Sequence, residues 1–245
     1  MKLKFLIVGT GRCGTLHFAR LMTHLGIPCG HESVFTPLGW HAALSVIEGK
    51  YNPKLSRCSK LDMETNKPLE EWVDVNDIVA DSSYMAAPFL SHDDIEDISV
   101  IHLVRNPLKV ISSFVLGFNY FKESRYREDA DPWQNFIYSN LRSLSASLTQ
   151  VERACLYYIQ WNQMISDSRH YRKYLLHRVE DGITDELLEF LDVERKEPLE
   201  TNHNSKEHEN LKIRDIPTGS IKDKLIRIMS DYGYDSGIDK KITFL

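Results

Sequence analysis

Apolar runs of strand length recur along the chain at 3–8 (Leu3-Lys4-Phe5-Leu6-Ile7-Val8), roughly 75–81, 100–104 (Val100-Ile101-His102-Leu103-Val104) and 174–179. Segments with helical spacing of apolar residues separate them, at 15–25, 40–48, 84–90, 107–117, 133–167 and 184–191. Strands alternating with helices predict βαβ units and therefore an α/β fold. Three layers are expected, with a mostly parallel central sheet flanked by helices. A short additional strand is predicted near 27–30, with Pro28 favouring its edge or its start. Residues 50–73, 119–132 and 194–210 are polar and lack periodicity, and read as surface loops. The stretch from Ser220 reads as a final amphipathic helix capped at Gly233. No internal repeat or low-complexity tract interrupts the pattern, so 1–245 reads as one domain with insertions.

Composition narrows the partners. The formal charge is −5, with 42% hydrophobic and 27% charged residues, which argues against general nucleic-acid binding. An anionic ligand would have to be held by local cations and backbone dipoles. The cysteines Cys13, Cys29, Cys58 and Cys155 are scattered without a CxxC pair, so neither a zinc site nor a disulfide framework is expected. The first predicted strand starts at about Leu3, leaving no room for a signal peptide. No apolar run approaches membrane-spanning length. The expectation is a cytoplasmic protein without stable membrane insertion; the oligomeric state stays open.

Two strand-to-helix junctions carry the candidate chemistry. At the first, Gly9-Thr10-Gly11-Arg12-Cys13-Gly14-Thr15 follows the opening strand and precedes the helix from Leu16. In this arrangement backbone N–H groups and a helix N-terminus bind phosphate. Several readings compete for it. As GxGxxG it fits a dinucleotide fingerprint, with Glu32 near the position of a ribose-binding acid. A phosphate-bridging Walker A lysine is missing, because Thr15 follows Gly14. A Cys-dependent phosphatase fails by one residue, since Arg20 comes one position too late after Cys13. The remaining reading is a cradle for a 5′-phosphosulfate, with Arg12 at its tip and the Thr15 hydroxyl opening the helix; a tight turn with a solvated Arg is the plain alternative. At the second junction, Arg105 closes a strand, Pro107 opens a helix, and Ser113 lies eight residues on. A forked cation and a neutral donor converging there would suit a phosphate monoester; a surface ion pair and a polar helix face are the plain alternative.

The ordered pair of motifs resembles the PAPS-dependent sulfotransferase superfamily, in particular its bacterial-type members. Gly9–Thr15 is similar to the family's 5′-phosphosulfate loop, which is P-loop-like, and Arg105 with Ser113 to its 3′-phosphate motif. Similarity extends to Arg178-Val179-Glu180-Asp181 with the helix after it, to Gly30-His31-Glu32, and to Asp81-Ser82-Ser83-Tyr84. There are departures. Arg12 stands where many relatives have Lys, Leu16 where they have a second Thr, His17 where cytosolic members place a Trp on adenine, and Val179 where they have Tyr. The segment closing over the 3′-phosphate has no clear copy; Asn204 and Lys206 occupy about the right place.

The resemblance implies in-line transfer of a sulfuryl group from 3′-phosphoadenosine 5′-phosphosulfate (PAPS) to an acceptor hydroxyl or amine. PAP is the expected product and no metal is expected. It implies binding of donor by Gly11, Arg12, Cys13, Gly14, Thr15, Leu16, Arg105, Ser113, Asn204 and Lys206. Arg12 would stabilise the leaving group and Glu32 would act as general base, with His31 as its alternative. Neighbours in an extended strand point to opposite faces, so only one of those two is expected to face the site. Asp81 and Ser82 would orient the acceptor, by analogy a carbohydrate or glycolipid. An NAD-dependent oxidoreductase and a nucleotide-binding module without turnover are the rivals.

Overall fold

The structure is a computed structural model, and it describes residues 3–48, 78–122, 131–141, 143–168, 172–197 and 210–235. Five strands form one all-parallel sheet in the order β2-β3-β1-β4-β5. They are β1 (Phe5–Gly9), β2 (Cys29–His31), β3 (Ala80–Ser82), β4 (Ser99–Val104) and β5 (Lys173–Arg178). With flanking helices this is the three-layer α/β architecture the alternation predicts. Parallel strands covered on both faces read as continuous apolar runs, and every residue of β4 is buried. Pro28 immediately precedes β2, an edge strand, where its missing N–H costs no ladder bond. Its carbonyl accepts from Val79 and Ala80. Of the expected 75–81 strand, 80–81 fall in β3, and 75–77 lie outside the described residues.

The helices are α1 (Thr15–His24), α2 (Trp40–Ile47), α3 (Pro107–Ser112), α4 (Pro132–Asn140), α5 (Gln150–Asp167), α6 (Asp185–Leu191) and α7 (Ser220–Asp231). Three of the helical segments differ from expectation. The stretch 133–167 is two helices: α4 ends at Asn140, and Thr149 caps the start of α5. Its hydroxyl accepts from the Glu152 N–H at 3.2 Å while the Glu152 carboxylate accepts from the Thr149 N–H at 2.8 Å. That reciprocal pair satisfies donors a helix start otherwise leaves open. The helix expected over 107–117 becomes a π-turn at Ser113–Gly117. The segment over 84–90 winds as a 3₁₀ turn, Tyr84–Phe89, with Pro88 inside it. After α7, Gly233 takes φ 72° and the Tyr234 N–H reaches the Met229 carbonyl at 2.8 Å, the left-handed stop expected of that glycine.

Two compact units divide the chain: Met1–Arg105 with Trp161–Ser205, and Asn106–Gln160 with Lys206–Leu245. The first contains the whole sheet. Its core includes a polar tie: the fully buried His102 on β4 bonds Asn162 Oδ1 at 2.8 Å through Nε2 and the Tyr174 hydroxyl at 2.6 Å through Nδ1. In the second unit the buried Arg153 guanidinium binds the carbonyls of Phe121, Lys122, Ser145 and Leu148.

Candidate functional site

The site begins where β1 gives way to α1. Gly9 packs so tightly on β4 that a Cβ there would stand 2.2 Å from the Leu103 carbonyl oxygen. The chain then turns: the Cys13 N–H bonds the Thr10 carbonyl at 3.3 Å. Arg12 (φ 67°) and Gly14 (φ 104°) both take left-handed backbone. A Cβ on Gly14 would meet Val179 Cγ2 at 2.9 Å, so that glycine is needed both for its torsion and for its neighbour. No side chain caps the start of α1. Its first-turn N–H groups and the positive end of its dipole face the turn. Gly11 and Cys13 are buried in the turn, and Leu16 is half-buried in the first turn of α1.

Cys13 is buried in the turn. Burial pushes its thiol up to about 12, against the opposing pull of the Arg105 charge, so thiolate is scarce at neutral pH. Arg105, at the end of β4, reaches back to the turn and donates from Nη1 to the Arg12 carbonyl at 3.0 Å. Two arginines ninety-three positions apart in sequence are thereby joined at one turn. Ser113 is buried at the start of the π-turn in the other unit. Asn204 and Lys206 lie outside the described residues.

At the end of β2 the structure corrects one expectation. His31 and Glu32 do not point to opposite faces, because Glu32 leaves the extended conformation and takes φ 52°. The alternation of an extended strand stops there, and His31 Nε2 lies 3.7 Å from Glu32 Oε1. The same Nε2 is 3.1 Å from the Thr15 hydroxyl. Thr15, His31 and Glu32 therefore form a continuous polar row from the phosphate-type turn to a buried carboxylate.

Asp81 and Ser82, expected to orient an acceptor, are fully buried and bond inward. Asp81 Oδ1 accepts from the Ser33 N–H at 3.0 Å, and Oδ2 accepts from Val34 and Phe35 at 3.3 Å each. Burial raises the Asp81 carboxyl to about 7, the three N–H bonds oppose that rise, and the Glu32 charge adds to it. Ser82 Oγ donates to the Thr15 carbonyl at 2.9 Å.

Residues outside the sequence-based site candidates complete the surroundings. His177 on β5 is buried, packs edge-on to Phe18 with centroids 5.4 Å apart, and bonds the Gly182 carbonyl at 3.0 Å. Burial lowers its affinity for a proton. Arg178 grips Asp181 through two bonds of 2.7 and 2.8 Å, fixing the turn whose first residue, Val179, abuts Gly14. The spacing Arg-x-x-Asp was visible in the sequence; the contact with Gly14 had no local signal.

Among the described residues no group of three or more His, Cys, Asp or Glu is placed to hold a metal. No described helix is long and apolar enough to cross a membrane. No known family model matches the chain, and no curated protein sequence is similar to it.

Proposed function

We propose that the chain is a sulfotransferase that moves a sulfuryl group from PAPS to an acceptor hydroxyl or amine, with PAP as product. The observation that carries this reading is the turn at 10–14. It is left-handed at Arg12 and Gly14, starts an uncapped helix, and is tied to Arg105 through the Arg12 carbonyl. The donors of the first unit suit a bisphosphorylated nucleotide: backbone N–H groups with Arg12 and Thr15 for the 5′ end, and Arg105 for the 3′-phosphate. Gly11, Cys13, Gly14 and Leu16 would line the 5′ cradle. PAPS, when bound, supplies an activated sulfuryl group.

The chain's own residues do the rest. The Glu32 carboxylate takes the proton of the acceptor as its oxygen or nitrogen bonds to sulfur. His31 stands between Glu32 and Thr15 and holds both in register. The Arg12 guanidinium and the Thr15 hydroxyl stabilise the electron pair left on the 5′-phosphate oxygen as the sulfur–oxygen bond breaks. A carbohydrate or glycolipid acceptor belongs to this reading by analogy.

The sheet order speaks against the oxidoreductase alternative. In a dinucleotide-binding fold the second strand lies beside the first, and the acid at its end reaches the ribose. Here β3 separates β2 from β1, so Glu32 is displaced by one strand from that position.

Calorimetric titration with PAP, ATP and NAD tests the reading, together with transfer from labelled PAPS across an acceptor panel in EDTA. PAP is expected to bind best. Arg105→Ala should weaken PAP by about 2–5 kcal/mol and ATP by less, because both lose the tie to the Arg12 carbonyl but only PAP loses the partner of a 3′-phosphate. Equal losses for the two nucleotides, or NAD binding tighter than PAP, would reject the assignment.

A further inference from the structure

Glu32 is an L-residue held at φ 52°, a region in which a side chain meets the backbone and which non-glycine residues adopt only when their surroundings impose it. What imposes it is visible one strand away. The Glu32 N–H is bonded to the Ser82 carbonyl at 3.1 Å. The N–H groups of the next three residues, Ser33, Val34 and Phe35, all converge on the two oxygens of Asp81. Ser83 Oγ then donates to the Phe35 carbonyl at 3.0 Å. The end of β3 thus grips the chain on both sides of the Glu32 side chain, while Ser82 Oγ holds the Thr15 carbonyl at the start of α1. Gly30 belongs to the same grip: a Cβ there would stand 2.6 Å from Ser33 Oγ and 3.0 Å from Asp81 Oδ1.

We infer that Asp81 is a positioning residue: by capturing the three N–H groups that follow Glu32, it bends the end of β2 so that the Glu32 carboxylate lies beside His31, which in turn meets Thr15. Without that capture the strand would continue extended, and Glu32 would leave the face His31 occupies. Asp81 itself is fully buried. The ionisable groups around it are Glu32, whose charge disfavours a second carboxylate, and Cys29, whose own thiol the Asp81 charge helps to raise.

Asp81→Asn keeps the shape of the side chain but replaces one acceptor oxygen with an NH₂ group. That donor would confront either the Ser33 N–H or those of Val34 and Phe35. The test is a four-variant cycle of wild type, Asp81→Asn, Glu32→Gln and the double variant, read in two ways. The first readout is the His31 ring signal in a ¹H–¹³C spectrum, identified by its loss in His31→Gln. In the wild-type background, Glu32→Gln is expected to shift that signal. In the Asp81→Asn background, the same change should shift it only by a small fraction as much. A purely structural Asp81 would leave the shift intact, and an undiminished shift overturns the inference. If Asp81→Asn fails to fold, Gly30→Ala replaces it, displacing the same turn with the carboxylate intact, and the same two results apply.

The second readout, turnover, rests on the proposed role of Glu32 as base. Asp81→Asn should lower kcat by about 10²-fold, the scale of a small misplacement, with PAP affinity kept and with no further loss on top of Glu32→Gln. A multiplicative loss in the double variant counts against positioning through Glu32. If the His31 coupling collapses as expected while Glu32→Gln leaves kcat unchanged, Asp81 still positions Glu32 and it is the base assignment that fails.

Discussion

Gly14 shows how narrowly one residue is specified. Its φ of 104° lies outside what side-chain-bearing residues readily adopt, and Val179 Cγ2 stands 2.9 Å from where a Cβ would be. Gly14→Ala should therefore destabilise the protein by about 1–3 kcal/mol. Adding Val179→Ala should remove the clash and leave the torsional cost, so denaturant melts of the pair would show partial recovery. Full recovery would mean that contact alone dictates glycine at this position. Arg12 is left-handed without being glycine, and the Arg105 bond to its carbonyl is one contact holding that conformation. The asymmetry follows from torsion and contact together: Gly14 stands at φ 104° with Val179 in the space of a side chain, whereas Arg12 at φ 67° accommodates one.

At the scale of elements, the start of α5 depends on a local exchange of bonds. Thr149 and Glu152 satisfy each other's backbone N–H groups, and the Thr149 hydroxyl also donates to the Glu152 carboxylate at 2.8 Å. Those bonds from Thr149 hold the Glu152 carboxyl below its ordinary value. Thr149→Ala removes the hydroxyl and should cost about 1 kcal/mol; thermal melts measure it, and an unchanged melting temperature would show that packing alone sets the start of α5. The Thr-x-x-Glu spacing was in the sequence, yet the apolar periodicity on both sides ran through it unchanged. Period reports which face is buried, and a helix start written in hydrogen bonds does not alter it.

For the molecule as a whole, two buried groups pull its stability in opposite directions as pH changes. Burial lowers His102 from 6.5 to about 4. The unfolded chain therefore binds the extra proton between those values, and this contribution to stability is lost as pH falls from 6.5 through 4. Asp81 is raised from 3.8 to about 7. There the folded chain binds the extra proton, so its contribution is full below about 3.8 and is lost as pH rises through 7. A tenfold difference in proton affinity between folded and unfolded chain corresponds to roughly 1.4 kcal/mol, so the two slopes largely cancel in wild type between about pH 4 and 6.5. Asp81→Asn should expose the His102 slope, with stability falling as the solution is acidified over that interval. His102→Gln should expose the opposite slope. Urea titrations at a series of pH values read both, and parallel profiles for the two variants would contradict the assignment.

Much of this was legible from local pattern. The alternation of apolar strands with helical segments defined an α/β sheet; Pro28 marked an edge, Pro107 a helix start and Gly233 a helix end; and the glycines at 9, 11 and 14 marked a phosphate-type turn. These are properties of neighbours in sequence, where periodicity and backbone torsion act directly. The placement of β3 between β1 and β2, the bond from Arg105 to the Arg12 carbonyl, and the bend that puts Glu32 beside His31 were decided by tertiary structure. Each depends on a strand distant in sequence. The bend is set by Asp81, forty-nine residues after Glu32, because buried N–H groups must find an acceptor and that carboxylate is the one the sheet brings to them.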